Sequence, residues 1–130
     1  MSQALRIAVA DDEADVRDYF LRMLPRLGHE VIAAASNGRE LLELCKKQMP
    51  DLVIADVRMP EMDGDAALQQ ICEIWPIPFI LISAYSKASS FHTSFGSARW
   101  TYLTKPVKRE DLADAIELVC PQSERLDNTK

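Results

Sequence analysis

Five residues of this 130-residue chain have the types and positions to do chemistry together. Asp11 and Asp12 follow the apolar run from Leu5 to Ala10. Asp56 follows Leu52 to Ala55, Ser83 follows Phe79 to Ile82, and Lys105 closes the run Thr101 to Thr104. Singly, each has a plainer role. An acidic triplet such as Asp11-Asp12-Glu13 complements the dipole of a helix it opens. Asp56 fits a turn, Ser83 a cap, and Lys105 a solvated surface. Jointly they are harder to explain that way. Three carboxylates in one crevice repel and raise each other's pKa unless a cation sits among them. A hard divalent ion suits them: Mg²⁺ takes one or two carboxylates, keeps several waters and completes its shell with phosphate oxygen. A carboxylate in that setting can attack a phosphoryl group and become an aspartyl phosphate, with metal and lysine neutralising the transferred charge. Asp56 is the candidate nucleophile, because an apolar strand directly before it would hold it rigidly.

The elements that must position these residues alternate in kind. Leu5–Ala10, Glu30–Ala34, Leu52–Ala55, Phe79–Ile82 and Thr101–Leu103 read as strands. Between them run helical patterns. The first is built on Val16, Phe20, Met23, Leu24 and Leu27, and stops at Gly28. The second follows Asn37 and Glu40, spaced as in a capping box, and ends at Pro50. The third spans Asp65–Ile74. The fourth, over Lys87–Ala98, is Ser/Thr-rich, with Phe91 and Phe95 its main apolar pair. The last runs from Arg109 to Cys120. Strands apolar on both faces and joined by helices predict a parallel sheet covered on both sides. With right-handed crossovers, the fold class is α/β, a doubly wound (βα)5 sandwich. Its expected strand order is 2-1-3-4-5, with the crevice outside the carboxyl ends of strands one and three. All five candidate residues then share one edge.

Length and composition bound the alternatives. One domain is expected over residues 1–120, with a polar tail or linker start over 121–130. Acids outnumber bases by 20 to 15, for a formal net charge of -5. That disfavours nonspecific binding to nucleic acid or anionic membrane. No apolar stretch approaches the ~20 residues of a membrane span. The start of the chain lacks a signal-peptide pattern, so a cytoplasmic location is expected. Cys45, Cys72 and Cys120 form neither a C-x-x-C nor a zinc pattern and read as reduced thiols.

The chain resembles the receiver domains of two-component response regulators. The resemblance rests on Ala10-Asp11-Asp12-Glu13, Asp56-Val57-Arg58-Met59-Pro60 with Asp63-Gly64, Ser83-Ala84, and Tyr102-Leu103-Thr104-Lys105-Pro106. It covers residues 5 to about 119. It implies a phosphorylation-switched domain that catalyses only its own phosphoryl transfer and loss. Asp56 would take a phosphoryl group from a sensor histidine kinase, a histidine phosphotransfer protein or a small phosphodonor. Asp12, Asp56 and the Arg58 carbonyl would bind Mg²⁺, with Asp11 acting through water. Lys105 would pair with the phosphoryl oxygens, Ser83 would hydrogen-bond them, and Tyr102 would swing inward. The Lys105–Pro106 peptide would be cis. The switched face would comprise the fourth helix, fifth strand and last helix, answering to a downstream effector or to a phosphorylation-dependent dimer. Arg58 and Tyr85 would tune the phosphoryl lifetime. No membrane contact and no direct nucleic-acid binding by this domain are expected.

The chain departs from the family pattern before strand five. Ala98 and Arg99 stand where the family has a Gly-Ala pair, with Trp100 next. Arg99 is expected in solvent. Trp100 fits either the core or a partner surface. The run Pro76 to Tyr85 also resembles receivers attached to RNA-binding antiterminator modules. An aspartyl-nucleophile phosphatase of similar fold is the competing class. Phosphatases of that kind need an acid two residues after the nucleophile, where Arg58 stands. A flavin or dinucleotide binder would need a Gly/Ser/Thr-rich turn after strand one, where Asp-Asp-Glu stands instead.

Overall fold

The computed structural model describes residues 4–84 and 95–121. Its elements are β1 (Arg6–Ala10), α1 (Ala14–Arg26), β2 (Glu30–Ala35), α2 (Gly38–Gln48), β3 (Leu52–Asp56), α3 (Gly64–Ile74), β4 (Phe79–Ser83), β5 (Trp100–Thr104) and α4 (Arg109–Val119). The strands form one parallel sheet of order β2-β1-β3-β4-β5, as expected. The segment read from sequence as the fourth helix lies mostly outside the described residues, as do Tyr85, Phe91 and the tail after Pro121.

The two-faced apolarity of the central strands has a direct structural cause. Side chains alternate across a strand, so each strand feeds two cores. On one face Ala8, Ala10, Val53, Ala55, Phe79 and Leu81 meet Leu41, Leu42 and Cys45 of α2 and Ala67, Leu68 and Ile71 of α3. On the other, Ile7, Val9, Leu52, Ile54, Ile80 and Ile82 meet Phe20 and Leu24 of α1 and Leu112, Ile116 and Val119 of α4. β3 and β4 are buried along their whole length, whereas the edge strands β2 and β5 are only partly covered.

Local signals set the element ends. The Asn37 side chain accepts from the Glu40 N–H at 2.8 Å, as an N-cap should. Glu40 reaches back one residue further than a capping box requires: its carboxylate accepts from the Ser36 N–H at 2.7 Å. Gly28, at φ +91°, supplies the left-handed step that ends α1. Trp100 packs on the core, stacked on Phe79 with ring centroids 5.6 Å apart, and Phe95 meets both rings edge-on. Arg99 is exposed, as expected. Cys45 and Cys120 are buried and Cys72 is half-buried, none of them in a disulfide.

Candidate functional site

In the sheet order, β1 and β3 are neighbours and β2 lies on the far side of β1. The chain therefore departs in opposite directions from β1 and β3, which opens a crevice at their carboxyl ends. Ala10 pairs with Ala55, so the next residues, Asp11 and Asp56, come out side by side. Ser83 is the last residue of β4 and pairs with Thr104, which sets Lys105 one step beyond the sheet. The Lys105 N–H donates to the Ser83 carbonyl at 2.8 Å, and the Lys105–Pro106 peptide is cis.

The lysine reaches across the crevice. Its Nζ lies 3.0 Å from Asp56 Oδ2, 3.1 Å from Glu13 Oε1 and 3.2 Å from Asp11 Oδ2. Carboxylate oxygens of Asp11, Asp12, Glu13 and Asp56 all lie within 4.8 Å of one another. Asp12, Glu13, Asp56, Arg58, Ala84 and Lys105 line an open cleft over this cluster. Asp11 lies beneath it, 1% exposed. Burial opposes the charge on Lys105, but hydrogen bonds to Asp56 and Glu13, the close Asp11 carboxylate and the Asp56 charge outweigh it, and hold its pKa above the ordinary lysine value.

Asp11 is the strained member of the group. Desolvation pushes its carboxyl pKa up; the hydrogen bond from the Glu13 N–H opposes this, and the Asp56 charge adds to it. Its Oδ2 approaches Lys105 Nζ yet has no hydrogen-bond partner of proper geometry. A buried carboxylate oxygen left this way, facing three further acids and one ammonium, fits a hard cation with oxygen ligands. Asp11, Asp12 and Asp56 are the residues that would hold it.

The other expected residues fall around this cluster. Arg58 is exposed at the cleft wall, and its N–H donates weakly to Asp56 Oδ1 at 3.4 Å. Ser83 is buried at its strand end, beside the lining rather than in it. Tyr102 is half-buried and packs against the core on the α2/α3 face. Two supports were not read from sequence. The Arg17 guanidinium donates to the Asp11 carbonyl at 2.6 Å and so fixes the β1–α1 loop. Asp63 accepts from the Met59 N–H at 3.0 Å and braces the loop after Asp56. The Asp63-Gly64 pair was the available signal for the second; nothing in the sequence marks the first.

Fold and crevice together define a class: a doubly wound α/β domain with an acidic, lysine-closed pocket at its topological switch point. Residues 7–117 match the model of the response regulator receiver domain, so the chain belongs to that family, the receiver module of two-component systems. It is 36% identical over 113 residues to the transcriptional regulatory protein PdtaR of Mycobacterium tuberculosis, a match that covers 87% of this chain and 55% of PdtaR. Among solved structures, a response regulator receiver domain protein from Clostridium thermocellum superposes with a TM-score of 0.81 at 28% identity, covering 95% of this chain and 99% of that one. The receiver domain of NarL from M. tuberculosis gives 0.78 at 28%, covering 88% and 94%. The chain spans about half the length of the curated regulators it first matches. Among the described residues, no helix is long and apolar enough to cross a membrane.

Proposed function

We propose that this receiver domain accepts a phosphoryl group on Asp56 and passes on the change as a shift in its β5–α4 face. The observation that carries the reading is the set of contacts at Lys105, 3.0 Å from Asp56 Oδ2, inside a cluster of four carboxylates. In the step itself, an Asp56 carboxylate oxygen attacks phosphorus. The P–N bond of a phosphohistidine, or the P–O bond of a small acyl phosphate, breaks, and its electron pair leaves with the donor. Lys105 takes a phosphoryl oxygen as partner, which places positive charge where negative charge develops. Asp12, Asp56 and the Arg58 carbonyl would hold Mg²⁺ with Asp11 behind them, and the ion would supply further charge neutralisation.

Ser83 and Tyr102 form the switch in this reading: Ser83 turns toward the new phosphoryl oxygens and Tyr102 moves inward over it. The half-buried place of Tyr102 against the core supports such a move. Arg58, at the cleft wall, and Tyr85, outside the described residues, tune how readily water reaches the acyl phosphate. A histidine kinase or phosphotransfer protein is the donor. A downstream effector, or a second copy of the domain, is the receiver of the signal, in the cytoplasm. The domain spans residues 1–120, and it turns over no substrate beyond its own phosphoryl group.

The test is incubation with Mg²⁺ and acetyl phosphate, read by intact mass. One phosphoryl adduct, acid-stable and base-labile, is expected on the native protein and none on Asp56→Asn. Equal labelling of both, or of neither, would refute the assignment.

A further inference from the structure

The ammonium of Lys105 has three N–H donors and faces three carboxylates, at 3.0 Å (Asp56), 3.1 Å (Glu13) and 3.2 Å (Asp11). Two of those donors are hydrogen-bonded, to Asp56 and to Glu13, and the third faces the Asp11 carboxylate without hydrogen-bond geometry. An incoming phosphoryl oxygen therefore competes with Asp56 and Glu13 for the ammonium. Asp56 is the residue to be modified. Glu13 is different, with a side chain 63% exposed at the mouth of the cleft.

Glu13 is also the N-cap residue of α1, a place where a side chain can bond the helix's free N–H groups, yet it makes no such bond. Its carboxylate is committed to Lys105, across 92 residues of sequence. Together Glu13 and Lys105 line both the acidic cleft and an adjoining groove with Val16, Tyr19, Pro106 and Val107. The ion pair thus stands between the reacting cleft and the adjoining groove.

We infer that Glu13 is a positioning residue that slows phosphoryl acceptance by competing with the incoming group for Lys105, a latch on the ammonium. The inference rests on the phosphoacceptor reading above. An exposed pair of this kind biases its members by no more than about fivefold, so unlatching is expected to speed acceptance by about two- to fivefold.

The test compares Glu13→Ala and Glu13→Asp with the native chain. Adduct formation from acetyl phosphate is followed by intact mass, at Mg²⁺ concentrations that calorimetry shows to be saturating for each protein. Aspartate keeps the charge but loses the reach to Lys105. A latch predicts that both variants react about two- to fivefold faster, with melting temperatures within a few degrees of the native value. If Glu13→Asp reacts at the native rate, Glu13 acts only through its field and the latch is refuted. If either variant reacts more slowly, it is refuted likewise. Absence of any adduct on the native chain overturns the phosphoacceptor reading itself, and the latch with it.

Discussion

Gly64 stands in the first turn of α3, where alanine would ordinarily favour the helix by up to about 1 kcal/mol. Here the opposite is expected. A Cβ at this position would sit 2.0 Å from the Asp56 carbonyl oxygen and 3.0 Å from its carbon. Real Cβ contacts essentially never fall below 3.0 Å, so helix and strand must part by at least the difference, 3.0 − 2.0 = 1.0 Å. The obstacle is backbone, which has no rotamer to yield. The Gly64 N–H also donates to the Val57 carbonyl at 2.8 Å, so the shift strains a second contact. Overpacking of this kind costs about 1–3 kcal/mol or more, which exceeds the helix gain. A net loss of roughly 2 kcal/mol at about 4 °C per kcal/mol gives a melting temperature some 8 °C lower for Gly64→Ala. Because the displaced carbonyl belongs to Asp56, phosphorylation by acetyl phosphate should slow as well. Gly28→Ala is the control. Nothing lies within 4 Å of its Cβ, so it carries only the penalty of its φ of +91°, about 1–2 kcal/mol, and should leave the phosphorylation rate unchanged. Thermal melts by circular dichroism and adduct kinetics decide. A Gly64→Ala protein as stable as the native one would refute the close-approach argument.

Three further outcomes follow from the structure. Without Mg²⁺, Asp11→Asn should melt higher than the native chain at neutral pH, because burial has raised the Asp11 pKa and its ionised form opposes folding. A raised folded pKa favours folding at pH below the unfolded value and loses that benefit as pH rises through the folded one, so the gap should narrow toward pH 4; a gap constant with pH would contradict the assignment. Burial pushes the Cys45 thiol up to about 12, so maleimide should modify it only when the protein unfolds, while half-buried Cys72 reacts in the native state. The same shift means that Cys45 contributes stability below the ordinary thiol pKa that is lost as pH climbs through about 12; rapid native labelling at Cys45 would count against its burial. Asn37→Ala removes the cap on α2 and should destabilise the fold by about 1 kcal/mol, measured by urea titration.

What could be read from sequence and what could not divide along a physical line. Strands such as Val53-Ile54-Ala55 are legible because a doubly covered strand must be apolar at every position, and that pattern is local. Strand ends are legible for the same reason, and in a parallel sheet they share one edge, which groups Asp11, Asp56, Ser83 and Lys105 from the sequence alone. Contacts between distant backbones leave no such mark. Gly38 donates its N–H to the Met62 carbonyl, and a Cβ there would collide with that backbone, yet the sequence shows only a glycine after a good N-cap.

The same limit explains the acidic triplet. Asp11, Asp12 and Glu13 are adjacent acids, and composition cannot rank them. Geometry can. Asp11 is the residue directly after β1 and is still enclosed by the core, so its carboxylate is buried and its pKa rises. Asp12, one residue on, is exposed and lines the cleft. Glu13 lies where α1 begins, and its longer side chain spans back to Lys105. Three adjacent acids thus acquire three different environments from consecutive steps of one backbone turn: Asp11 is buried beneath the cleft, Asp12 lines it, and Glu13 pairs with Lys105 at its mouth.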